Sequence, residues 1–189
     1  EWVFRMSATE VLKEEHRVIE RVLDVLDALT QMLEMGEDVR PEVFEEALDF
    51  IRIFADRCHH GKEECRLFSL MVKRGFPKEG GPIAVMLQEH TLGRNFVKSM
   101  AAAVEKYRGG DKTAKEGIIR NARGYVNLLR QHIMKEDNIL YLMADGTLTA
   151  DDQRSLLEEF EEFERKEMGE GVHERYHKLA EKLETEARL

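Results

Sequence analysis

A chain of 189 residues, 42% hydrophobic and 35% charged, is long enough to bury one sizeable core. Its formal net charge of −9 excludes the basic footprint of a nucleic-acid binder, and no apolar run is long enough to span a bilayer. Only 3 prolines punctuate it, which suits long amphipathic helices with solvated outer faces. Residues 1–6 read as a leader, disordered or left over from expression, with Met6 as a natural start. Ser7-Ala8-Thr9-Glu10 is a capping box that opens a first helix over 8–35, with Val11, Val18, Val22, Val25, Leu26 and Leu29 on its apolar stripe. Pro41 suits the first turn of a second helix that carries Phe44, Leu48, Ile51, Phe54, Leu67 and Met71 and stops near Gly75. After the glycine-rich loop to Gly81, Pro82 opens a third helix that runs to Gly109-Gly110. Asp111 caps a fourth that reaches about Met143. Thr149 starts a fifth helix with Leu156, Phe160 and Phe163 on one side. A sixth follows Gly171, with Tyr176, Leu179 and Leu183 at helical spacing. The expected fold is all-α: an antiparallel up-down four-helix bundle over 7–145, with two additional C-terminal helices over 146–189 packed on it.

Cys58 and Cys65 lie on one helix, roughly 10 Å apart at about 1.5 Å of rise per residue, too far for a disulfide. A reducing, cytoplasmic setting follows. Helices three and four echo one and two: Glu15-His16 opens one hairpin and Glu89-His90 the other. Each is followed some forty residues on by a histidine with a glutamate four places later.

Those pairs carry the chemistry. His60 with Glu64, and His132 with Glu136, are spaced i, i+4 and share one helical face. The first pair continues the series Ile53, Leu67, Met71, and the second continues Leu128, Ile139, Met143, so both are expected to point inward. His16 and His90 follow the inward stripes of their own helices. All four histidines lie about nineteen or twenty residues from their turns, which in antiparallel hairpins puts them at one height. Singly, each is more readily a core or surface polar residue. Together, six inward residues at one depth call for a metal cluster whose charge makes buried carboxylates tolerable. Imidazole and carboxylate without thiolate suit iron, and zinc or manganese can take its place in a purified sample.

The segment His59-His60-Gly61-Lys62-Glu63-Glu64, Gly80-Gly81-Pro82, Glu89-His90 with Gly93-Arg94, and His132 with Lys135-Glu136-Asp137-Asn138 resemble the hemerythrin-like (HHE cation-binding) family over about residues 8–145. The resemblance implies two iron ions with an oxo or hydroxo bridge. Glu64 and Glu136 would be the bridging carboxylates, with His16 and His60 on one iron and His90 and His132 on the other. Two departures stand out. Oxygen carriers of the family have a fifth histidine where this chain has Arg94, so one iron is expected to be short of a ligand and the diferrous form to oxidise in air. Their fourth-helix aspartate corresponds to Asp137, but Glu136 is the inward choice, since i+5 is rotated by about 140°.

Other residues have weaker claims. Glu20 and Arg94 are candidates for contacts around the ligands, Tyr125 for an approach to the open iron position, and Asp137 for an alternative ligand. His59 is read as pointing elsewhere, with a structural role, and His173 and His177 as surface residues. The function expected from the resemblance is binding or sensing of oxygen, nitric oxide or iron, the partner being a small gaseous ligand, with no nucleic acid or membrane. Rival readings are a di-iron enzyme acting on oxygen, peroxide or nitric oxide, an iron–sulfur repair factor, or a helical module that docks a protein through its last two helices.

Overall fold

The computed structural model describes residues 6–189, which form six helices with no strand among them. The leader expected over residues 1–6 lies, but for Met6, outside the described residues. Helix α1 (Ala8–Glu34) starts at Ser7, whose side chain accepts from the Glu10 amide while Glu10 accepts from Ser7, as the capping box predicts. It ends at Gly36, whose φ of +82° few other residues tolerate. Helix α2 spans residues 41–73, with Pro41 in its first turn. Helix α3 is Pro82–Arg108, and α4 spans residues 115–147 after a 3-10 turn at Lys112–Ala114. Helix α5 (Ala150–Glu167) carries a second capping box from Thr149 to Asp152, and α6 is Val172–Glu186.

Helix α1 packs on α2 and α4, and α3 packs on the same two. Helices α5 and α6 lie against α1 and α2. Two stretches of α2, Ile51–His60 and Glu63–Leu67, and one of α4, Glu136–Leu140, are π-helical, with five-residue hydrogen-bonded turns.

The apolar interior falls into two clusters. One gathers Val22, Leu26, Phe44, Phe50, Phe54, Met100, Ile118 and Leu129 with Tyr176 and Leu183 of α6. The other gathers Leu12, Leu67, Met71, Ile83, Leu140 and Tyr141 with Leu156 and Phe160 of α5. Along each of the four long helices, the buried histidines and glutamates fall between the stretches that feed the two clusters. The polar layer is therefore sealed above and below by hydrocarbon. Among the described residues, no helix is long and apolar enough to cross a membrane.

Candidate metal centre

Five histidines and two glutamates occupy that layer: His16, His59, His60, His90, His132, Glu63 and Glu136, each no more than 5% exposed. They form two groups whose donor atoms lie within 4.8 Å of one another. One is His60, Glu63, His90 and His132; the other is His16, His59, Glu63 and Glu136. Glu63 belongs to both. Glu136 spans them as well, with Oε2 at 3.2 Å from His16 Nε2 and Oε1 at 3.2 Å from His132 Nε2.

Every imidazole is held from behind. His16 Nδ1 donates to Asp137 at 2.7 Å, His59 to Glu15 at 2.8 Å, His60 to Asp56 at 3.2 Å, His90 to Glu64 at 2.7 Å and His132 to Glu89 at 2.9 Å. A carboxylate on Nδ1 fixes the ring and the tautomer, so all five Nε2 atoms converge on the centre. Cations anchor the carboxylates in turn: Arg17 on Asp137, Arg94 on Asp56 and Glu64, Lys62 on Glu15, and Lys135 on Glu89.

The centre itself leaves four polar atoms over. His59 Nε2, Glu63 Oε2 and both Glu136 oxygens are buried with no hydrogen-bond partner among the described residues, although imidazole nitrogens lie only 3.2–4.0 Å from the carboxylate oxygens. Each such orphan costs about 1–3 kcal/mol if nothing satisfies it. Burial, then the neighbouring Glu136, pushes the Glu63 carboxyl well above its usual range. For Glu136, burial acts upward too, but His132 and then His16 overcome it and hold it well below. Burial brings His59, His60 and His90 down to about 4, whereas Glu136 lifts His132 to about 9 against burial. Imidazoles and paired carboxylates around unpartnered oxygens are the donor set of a divalent metal, and the residues fit one in each group.

The structure corrects several expectations. Glu64, read as an inward ligand, is half-buried outside the layer, where it holds His90 Nδ1 and Arg94; the inward carboxylate is Glu63. His59, read as pointing elsewhere, is 1% exposed and belongs to the centre. The histidines also group differently, His60 lying with His90 and His132, and His59 with His16. The cause is the π-helical turn. An α-helix rotates by about 100° per residue, and a five-residue turn rotates by less. His59 and His60 thus face the layer side by side, with Glu63 one turn beyond.

The same effect in α4 leaves Ile139 and Met143 exposed and turns Leu140, Tyr141 and Ala144 inward, with Glu136 kept in the layer. Glu20 pairs with Arg17 near the surface, away from the layer. Asp137 and Arg94 stand behind the imidazoles. Tyr125 is buried beside a cavity of about 200 Å³ that also touches His60, His90 and Arg94. Tyr141 was not singled out from the sequence. Its hydroxyl donates to Glu63 Oε1 at 2.5 Å and lies 3.4 Å from His16 Nε2.

The hairpin echo now has an atomic meaning. Glu15-His16 with His59, Lys62, Glu63 and Glu64 matches Glu89-His90 with His132, Lys135, Glu136 and Asp137, position for position. In both sets the glutamate before the first histidine holds the second histidine and a lysine. Glu64 and Asp137 each hold the first histidine of the other hairpin. His60 alone has no counterpart, since Ile133 stands there.

A model of the hemerythrin HHE cation binding domain matches residues 7–144. The chain belongs to that family. Hemerythrin HHE domains bind metal cations, and the buried histidine and glutamate groups are compatible with that. Proteins of Mycobacterium tuberculosis and Mycobacterium bovis, described as uncharacterized, are 24% identical over 165 residues. The match covers 87% of this chain and 64% of theirs, so the chain spans less than two thirds of the length of these curated relatives. No solved structure matches it.

A third group, Glu15, Glu164 and His173, has donor atoms close enough for a metal. It is already served by a cation, because the Lys62 ammonium bonds both Glu15 and Glu164.

Proposed function

We propose that the chain binds two iron ions in this layer and uses them to bind or sense a small gaseous ligand, oxygen or nitric oxide. His60, His90 and His132 would hold one iron and His16 and His59 the other, with Glu63 and Glu136 shared. The observation that supports this most is the convergence of five carboxylate-backed imidazoles on two carboxylates whose inward oxygens have no other partner. A nitrogen and oxygen donor set without thiolate favours iron. Bound iron would supply affinity for oxygen or nitric oxide and the redox change through which either is sensed.

The chain's own residues shape that response. The His16–His59 group has one imidazole fewer than its neighbour, and the Tyr141 hydroxyl lies beside it. A small ligand is therefore expected on that side, with Tyr141 as the adjacent hydrogen-bond donor. With His59 on the His16 side, His60 joins His90 and His132 and supplies there the imidazole that Arg94 takes away, so the premise for rapid loss of an oxygen adduct falls away. We take residues 7–145 as the metal-binding unit, an antiparallel up-down four-helix bundle, and 146–189 as its extension. The cysteines, one buried and one exposed, are both free thiols, which favours a reducing, cytoplasmic setting.

The test is to load the protein anaerobically with ferrous iron and follow absorbance as oxygen or nitric oxide is added. Binding of about two irons per chain, with a new visible band for either gas, is the expected result. Iron binding without any gas-dependent change would leave a structural metal and remove the sensing role.

A further inference from the structure

The family match ends at residue 144, yet the extension beyond it reaches the metal-facing layer through ionic contacts. Lys62, fully buried, bonds Glu15 of α1 and, at 2.6 Å, Glu164 of α5. Glu15 holds His59 Nδ1 with one oxygen and receives His173 of α6 on the other at 3.2 Å. His59 is thus two contacts from His173 and three from Glu164.

Packing fixes the same joint. A Cβ on Gly61, between the paired histidines and Glu63, would lie 2.6 Å from the Phe163 ring of α5. Phe160 covers Lys62, whose ammonium lies 5.6 Å from the ring centre. Burial would push the Lys62 ammonium down, but Glu15 outweighs it and the group stays charged. The matching relay in the other hairpin, Glu89 with Lys135, is partly exposed and touches neither α5 nor α6. Water can serve it. Glu15 and Lys62 are almost wholly buried, and the partly exposed Glu164 and His173 are their partners on the side of the extension.

We propose that Glu164 and His173 are positioning residues for His59. Through Lys62 and Glu15 the extension sets metal affinity on the His16–His59 side, and metal loading sets in return how tightly the extension docks. His59, Lys62 and His173 all draw on Glu15, and Glu164 shares the Lys62 ammonium with it, so loss of Glu164 leaves the ammonium to Glu15 alone and weakens its hold on His59. Coupling of this kind is reciprocal by thermodynamic necessity. The inference rests on the metal-binding reading above.

The test uses the full chain with ferrous iron under anaerobic conditions. Glu164→Gln, and separately His173→Gln, should lower affinity for one of the two irons by about 10-fold or more and alter the visible spectrum of the ferric protein. Glu164→Asp should restore part of both. Glu159→Gln is the packing control. It sits on the same helix, pairs with Arg66 and has no contact with Glu15, so it should change neither quantity. In the unmodified protein, iron should increase amide-exchange protection over residues 150–186. Equal losses from Glu164→Gln and Glu159→Gln, an unchanged affinity and spectrum in Glu164→Gln, or tail protection indifferent to iron would each overturn the inference while leaving the proposed function standing. An unmodified protein that takes up no iron would overturn the proposed function itself, and this inference with it.

Discussion

At the residue scale, the centre depends on groups that never face it. Lys62 is the plainest case. Replacing it with Met removes an ammonium from a buried site and leaves Glu15 charged beside the weaker donors His59 and His173. Breaking a buried pair in this way costs about 3–5 kcal/mol, and urea denaturation at fixed metal content should read that loss. A change under about 1 kcal/mol would mean that water reaches Glu15. Tyr141 offers a second check. Among the described residues its hydroxyl is the single hydrogen-bond donor to Glu63, so Tyr141→Phe should destabilise the metal-free protein by about 1–3 kcal/mol. The iron-loaded protein should lose less, because metal then serves the same carboxylate. Equal losses in the two forms, by thermal melting, would show that Glu63 does not face the metal. Little of this support was legible in the sequence. Glu15 and Glu89 each stand beside a histidine, but each serves a histidine on the next helix, a contact that only packing creates.

At the element scale, the six helices were legible because caps, prolines and glycines mark their ends and apolar residues recur at helical spacing. The facing of individual residues was legible only where the helix is regular. His16, His90, His132 and Glu136 came out inward from α-helical counting. His59 and Glu63 did not, because five-residue turns shift the phase between Ile51 and Leu67, and no propensity rule marks such a turn. The adjacent pair His59-His60 was the available signal, as was the better alignment of the two hairpins on His59 and Glu63. Gly61 marks the same joint. Gly61→Ala should push the Phe163 ring aside and loosen α5, raising amide exchange over residues 150–167 while α3 keeps its protection. An unchanged α5 would show that Phe163 is free to turn away.

At the scale of the whole molecule, a charged layer lies between two hydrocarbon clusters, and four buried polar atoms in it have no partner. A bound metal would make that layer favourable, so its removal should be felt throughout the fold. A ligand present at about a thousand times its dissociation constant stabilises by about 4 kcal/mol, and for a chain of this size each kcal/mol moves the melting temperature by about 2–4 °C. Chelation should therefore lower the melting temperature by about 10 °C. Coincident melting of the loaded and stripped forms would make the metal incidental.

The central claim is that Glu63 faces the metals and Glu64 stands behind His90. It is tested most directly by metal analysis of two variants purified from iron-supplied cells under anaerobic conditions. Glu64→Ala should keep about two irons per chain, loosened by at most the roughly 10–100-fold that loss of an outer contact costs, and Glu63→Ala should keep few or none. Loss of iron from Glu64→Ala with retention in Glu63→Ala would contradict the account.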